Sequence, residues 1–118
     1  MQLCWLRRRR TAPARGSQRY RDVLDYEVGA RVVVEFSTRG REVIDYAVVL
    51  TVDEDGEAVT VRVYDGAHGV SDMHRHDRTC EKAPAASFHA GTLGKGMRAA
   101  IVAVRTGYKE MIDASRAT

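Results

Sequence analysis

Three runs rich in β-branched residues, separated by short polar segments, most strongly constrain how this chain can fold. The runs are Arg31 to Phe36, Val43 to Val52 and Ala58 to Tyr64, and the third alternates strictly between apolar and polar side chains. The segments between them, 37–40 and 53–56, are polar and end in glycine, as hairpin turns require where the backbone adopts positive φ. The pattern predicts an antiparallel meander.

The C-terminal region predicts one amphipathic helix from about Thr92 to Ala114. Thr92 is a suitable N-cap, because its hydroxyl can accept a hydrogen bond from an otherwise unpaired backbone N–H. Apolar residues recur at the helical period, and basic residues occupy other faces. The apolar positions are Leu93, Met97, Ile101, Val104, Tyr108, Met111 and Ile112. We expect this apolar stripe to pack onto the sheet.

Two weaker signals complete the predicted fold. Met73 to Arg78 fits a further short strand, and Ser17 to Tyr26 fits a short N-terminal helix because apolar residues lie about one turn apart. A chain of 118 residues suits one hydrophobic core. We therefore predict a single α+β domain over 19–118, with an antiparallel β-meander of three to four strands packed against the C-terminal helix. Residues 1–18 contain an arginine run without periodicity and predict a disordered basic arm.

Several classes of protein are disfavoured by the composition. No apolar run approaches the roughly 20 residues that a membrane helix needs, so no membrane partner is expected. Cys4 and Cys80 show no metal-ligand spacing and do not suggest a disulfide-stapled secreted scaffold. The basic run Arg7 to Arg10 follows the short apolar stretch instead of preceding it, unlike an export signal. A cytoplasmic protein is the expectation.

Charge is divided unevenly along the chain. Seven arginines precede the first acidic residue, Asp22, and the remaining 12 basic and 16 acidic residues give residues 22–118 a net charge of −4. Residues 22–57 carry −7, whereas residues 58–118 carry +3 and all four histidines. An anion-binding surface is therefore expected in the later half.

The chemically unusual stretch is the histidine-bearing run from Tyr64 to Arg78. His74 and His76 are two residues apart, so in an extended segment both side chains project from the same face. Imidazoles so placed can act as general acid and base, can bind a transition metal, or can simply be solvated. The arginines Arg62, Arg75 and Arg78 lie near enough in sequence to contact a phosphate.

Three functions are compatible with these residue types. In phosphodiester cleavage, a histidine or carboxylate would take the proton of a ribose 2′-hydroxyl and a second histidine would protonate the leaving oxygen, with no cofactor. A metal site could draw on the four histidines together with one of three nearby aspartates, although His-x-His spacing is common in loops and strands. These candidate ligands are His68, His74, His76 and His89, with Asp65, Asp72 or Asp77. A solvated recognition loop in a non-enzymatic binding or regulatory module is the third reading.

The order of these residues resembles the TumE-type toxins of bacterial type II toxin-antitoxin pairs. A strand ending Val63-Tyr64-Asp65 is followed by Ala67-His68-Gly69 and by His74-Arg75-His76-Asp77, and then by Phe88 and the C-terminal helix. The resemblance spans roughly residues 43–112, and its specific part covers about fifteen positions.

This resemblance implies a growth-inhibiting toxin that acts on RNA or the translation apparatus and has a cognate antitoxin as its protein partner. Carried over by position, the functional surface would contain Tyr64, Asp65, His68, His74, Arg75 and His76. We therefore predict a metal-independent ribonuclease. Its candidate catalytic residues are His74, His76, Asp65 and His68, and its candidate RNA contacts are Arg75, Arg78 and Arg62.

Overall fold

The fold is that of an α+β protein, with one antiparallel sheet and one helix. The computed structural model describes residues 17–66, 69–77 and 83–117. The strands are β1 (Ser17–Asp25), β2 (Ala30–Arg39), β3 (Glu42–Glu54), β4 (Glu57–Asp65), β5 (Ser71–Arg75) and β6 (Ala86–His89), and the helix is α1 (Leu93–Arg116). Consecutive strands are neighbours throughout, so the sheet order is β1-β2-β3-β4-β5-β6. The predicted meander is confirmed.

The number of strands was predicted too low. The three β-branched runs form β2, β3 and β4. The short strand predicted over Met73 to Arg78 corresponds to β5, which spans Ser71–Arg75. Two further strands, β1 and β6, extend the sheet to six. Both lie at the edges of the sheet, where a strand need not be apolar on either face. Their residues are mostly exposed and polar, so the sequence lacks the alternation of apolar and polar residues by which a strand is predicted.

The predicted N-terminal helix is wrong, because Ser17–Asp25 is a strand. It pairs with β2 in a register that runs from Ser17 opposite Ser37 to Asp25 opposite Ala30. An isolated helix of this length is only marginally stable in water. Hydrogen bonding to the neighbouring strand β2 therefore stabilises the segment more than helix formation would. The predicted arm at 1–18 falls mainly on residues 1–16, which lie outside the described residues.

The turn between β3 and β4 shows why the sequence selects a hairpin there. Asp55 and Gly56 both have positive φ, 51° and 83°. Two central residues with positive φ match the right-handed twist of the flanking strands, and an Asp-Gly pair tolerates this backbone at low cost.

Helix α1 covers one face of the sheet as the apolar stripe predicts. Thr92 caps it by accepting a hydrogen bond from the backbone N–H of Lys95. The buried cluster on this face combines sheet residues with residues of the helix, and its largest members are aliphatic or aromatic. Its members in α1 are Met97, Ala100, Val104, Met111 and Ile112. Their burial is the main attraction between helix and sheet, at about 1.5–3 kcal/mol for each large side chain.

Close approach of α1 to the sheet depends on Gly96. A Cβ atom added there would lie 2.1 Å from Oγ of Ser71 and 3.2 Å from the hydroxyl of Tyr46. Both hydroxyls are buried, and neither completes a well-formed hydrogen bond within the described residues. Glycine thus lets the first turn of the helix pack directly over these two groups.

The opposite face of the sheet carries a separate buried cluster that contains no residue of α1. Its members are Val33, Ala47, Val49 and Val63, one or two from each of the three central strands. The sheet therefore divides the molecule into a face packed against α1 and a second face, which we call the open face. Within the part of the chain that the structure describes, no helix is long and apolar enough to span a bilayer.

Candidate functional site

The candidate site lies where β4 ends and β5 runs beside it, on the open face. His74 is paired with Val63, and Asp72 is paired with Asp65. Residues that are directly opposite each other in an antiparallel pair project from the same face. Because Val63 belongs to the open-face cluster, His74 and Asp65 also project from that face. The sheet separates them from α1.

The central contact of the site joins His74 to Asp65. Nε2 of His74 lies 3.3 Å from Oδ2 of Asp65, and the two side chains are 15% and 21% exposed. The contact is an ion pair whenever the imidazole is protonated. Nδ1 of His74 is buried and has no hydrogen-bond partner among the described residues. A carboxylate at one imidazole nitrogen can orient the ring.

Carboxylates dominate the surroundings of this pair. Glu35 is paired with Ala47, Ala47 with Asp65, and Asp65 with Asp72, so three acidic residues lie along one row across β2, β4 and β5. Arg19 continues the row on β1 and lies 3.7 Å from Glu35.

His76 occupies a different environment from His74. It is 5% exposed, its backbone N–H donates to the carbonyl of Val61, and its carbonyl accepts from Oγ of Ser115. The last of these hydrogen bonds, 2.7 Å long, ties the end of α1 to the strand. The backbone of His76 thus joins the end of α1 to β4.

Two of the three predicted phosphate contacts lie within the described residues. Arg62 and Arg75 are paired across β4 and β5. Arg75 is exposed, whereas Arg62 is half-buried and its Nε is buried without a hydrogen-bond partner in the described part of the chain. Because Arg75 and Arg62 alternate with His74 and Val63 along their strands, both arginines project from the face of the sheet opposite to His74.

The remaining predicted residues cannot be placed beside His74. His68 and Arg78 lie outside the described residues. His89, a candidate metal ligand, is in β6, where its Nδ1 accepts a hydrogen bond from the N–H of Gly91. Across 17–66, 69–77 and 83–117, no three histidine, cysteine or acidic side chains are grouped so that they could hold a metal ion.

Sequence reasoning missed the buried hydroxyl pair beneath α1. Burial raises the pKa of the Tyr46 phenol above its ordinary value of 10.0; the Ser71 hydroxyl partly offsets this, and the charges of Asp65 and Asp72 add to it. Tyr46 stands in the middle of a β-branched run and Ser71 at the start of a short strand, so no local pattern relates them. They come together because β3 and β5 both pair with β4 and because Gly96 is small enough for α1 to pack over them.

Comparisons with known proteins found no match among protein-family models, curated proteins or solved structures.

Proposed function

We propose that this protein is a toxin-like, metal-independent ribonuclease in which the His74–Asp65 pair transfers the protons. The observation that supports this most is the 3.3 Å contact between Nε2 of His74 and Oδ2 of Asp65. A carboxylate beside an imidazole fixes the orientation of the ring and stabilises the imidazolium that forms when the ring accepts a proton.

The proposed reaction uses the ribose 2′-hydroxyl as the nucleophile. His74 removes its proton, the 2′ oxygen forms a bond to phosphorus, and the bond from phosphorus to the 5′ oxygen breaks. The imidazolium, stabilised by Asp65, returns the proton to the departing 5′ oxygen. The products are a 2′,3′-cyclic phosphate and a 5′-hydroxyl.

A cognate antitoxin is the proposed protein partner. The resemblance of residues 63–78 and the C-terminal helix to TumE-type toxins supports this proposal. An antitoxin would suppress the growth inhibition that the free ribonuclease causes.

A growth assay tests this proposal. Expression of the parent chain from an inducible promoter in a bacterium should arrest growth, and His74→Asn should abolish the arrest at equal soluble protein. His89→Asn is the matched control, because it replaces a histidine of β6 and should stay toxic. Absence of growth arrest by the parent, or equal arrest by parent and His74→Asn, would contradict the proposal.

A second candidate function is a non-enzymatic binding module. It is favoured by the enclosure of Nδ1 of His74 and by the row of carboxylates around the pair, which repels a polyanion. This function predicts that the purified protein leaves RNA intact and that Asp65→Asn and His74→Asn weaken binding of a cationic ligand. The product analysis that closes the Discussion separates the two functions.

A further inference from the structure

The solvent face of α1 carries a line of basic side chains, which we call the basic stripe. It consists of Lys95, Arg98, Arg105 and Lys109, with Val102 at its centre, and all five residues are exposed. Their separations of three, four, three and four residues keep them on one side of the helix. At a rise of 1.5 Å per residue, the stripe is about 21 Å long.

No negative charge on α1 interrupts the stripe. Residues 93–109 contain four basic and no acidic residues, a net charge of +4, and the first acidic residue of the helix is Glu110. Arg105 forms an ion pair with Asp22 of β1, and Nζ of Lys109 lies 6.0 Å from the ring centroid of Tyr108. Among the described residues, Lys95 and Arg98 have no ion-pair partner.

The stripe is distant from the candidate site. The apolar side of α1 packs onto one face of the sheet, and the stripe lies along the exposed side of the helix, where Arg105 reaches β1 through its ion pair with Asp22. His74 and Asp65 project from the open face. A ligand on the stripe is therefore separated from the His74–Asp65 pair by the thickness of the helix and the sheet.

We propose that the basic stripe binds the phosphate backbone of a nucleic acid. This goes beyond the proposed ribonuclease activity, because it concerns a different surface and does not require cleavage. A straight row of long cationic side chains complements a polyanion, and release of its counterions drives the association.

The composition of the stripe favours a nucleic acid over the other large anionic partners. A helix that binds a membrane surface inserts an apolar face into the lipid, whereas the apolar face of α1 is occupied by the sheet and the stripe itself offers only Val102. Protein interfaces depend on aromatic anchors at their centre, and the stripe contains none.

The strength of binding should fall steeply with salt. If all four cations meet phosphates, the slope of log K against log salt is about −2.8 for a single strand and about −3.6 for a duplex. Loss of two of the contacts should reduce the magnitude of that slope by about 1.4 for a single strand and about 1.8 for a duplex. Binding should depend little on base sequence, because backbone phosphates are the same for every base.

The test compares two variants that lose the same charge. Fluorescence anisotropy of a labelled 20-nucleotide RNA, as a single strand and as a duplex, measures the affinity and the salt slope for the full chain. The same measurement with DNA of the same sequence shows whether the stripe prefers RNA or DNA. The stripe variant is Lys95→Gln with Arg98→Gln. The control is Arg39→Gln with Arg41→Gln, two exposed arginines at the β2–β3 turn.

We expect the stripe variant to weaken binding at least about tenfold at low salt and to flatten the salt slope, while the control changes affinity less than about twofold. Equal weakening by both variants, no nucleic-acid binding by the parent, or binding only to phosphatidylserine vesicles would overturn the proposal. If the parent binds RNA without cleaving it, the ribonuclease proposal is contradicted and the proposal that the basic stripe binds nucleic acid still stands.

Discussion

Oδ2 of Asp65 lies 3.3 Å from Nε2 of His74, although the two residues are nine positions apart in the sequence. The antiparallel pairing of β4 with β5 creates this contact, because it places Asp65 opposite Asp72 and His74 opposite Val63. The two side chains therefore meet diagonally on the open face of the sheet. The proposed proton transfer depends mainly on this one contact.

Asp65→Asn should impair RNA cleavage much more than folding. The amide keeps the shape of the side chain but no longer stabilises an imidazolium, so the rate should fall about 100-fold or more. Since both side chains are partly exposed, the free energy of unfolding should drop by no more than about 1 kcal/mol. Asp72→Asn is the matched control, and a similar loss of rate from it would contradict a specific role for Asp65.

Gly96→Ala should destabilise the protein strongly, even though alanine favours helices by about 1 kcal/mol over glycine. The new Cβ would lie 2.1 Å from Oγ of Ser71, and overpacking of this kind costs about 1–3 kcal/mol. Gly94→Ala meets only Val43 at 3.7 Å and should be neutral or stabilising. Urea unfolding of both variants measures the difference, and equal stabilities would show that α1 does not pack so closely on Ser71.

The Gly96→Ala defect should also be relieved by a change in its neighbour. Ser71→Gly removes the hydroxyl and the Cβ that the new methyl group would meet. We expect the double variant to recover about half of the lost free energy of unfolding, which a double-mutant cycle measures. Strictly additive effects of the two substitutions would argue against a direct clash.

Stability should decrease above about pH 10 because of Tyr46. Burial raises the pKa of its phenol in the folded protein, so the unfolded chain ionises first and folding loses free energy as the pH rises. Tyr46→Phe should lessen this alkaline loss and should leave stability near pH 7 unchanged or raised by up to about 1 kcal/mol. Thermal unfolding between pH 7 and pH 11 provides the measurement, and an identical alkaline decline in both proteins would contradict the assignment.

His76 should matter for stability and leave the chemistry of folded molecules unchanged. His76→Ala removes a buried side chain and should lower the free energy of unfolding by about 2–3 kcal/mol. Ser115→Ala, which removes only the 2.7 Å hydrogen bond to the His76 carbonyl, should cost about 1 kcal/mol. Cleavage per folded molecule should equal that of the parent in both variants. A selective loss of activity in a stable His76→Ala protein would instead make His76 part of the site.

The central part of the fold could be predicted from local sequence because its signals are strong and mutually consistent. Three β-branched runs with Gly-ended turns specify β2, β3 and β4, and the helical period after Thr92 specifies α1. The edge strands could not be predicted in the same way. Their residues are mostly polar and exposed, and the neighbouring strand stabilises them more than their own pattern does.

The candidate site could be predicted in its residues but not in its geometry. His74 and His76 were expected to act together because alternate residues share a face. Their surroundings differ instead, since His74 contacts Asp65 whereas the backbone of His76 contacts Val61 and Ser115. Such contacts depend on strand register and helix position, which no spacing within the run Tyr64 to Arg78 encodes.

Product analysis with purified protein tests the central claim most directly. The parent chain is incubated with a defined RNA oligonucleotide in the presence of EDTA, and the new termini are identified by mass spectrometry. We predict 2′,3′-cyclic phosphate and 5′-hydroxyl ends, their loss in His74→Asn, and no cleavage where the attacking ribose is replaced by 2′-deoxyribose. No cleavage by the parent, 5′-phosphate products, or unchanged cleavage by His74→Asn would contradict the account.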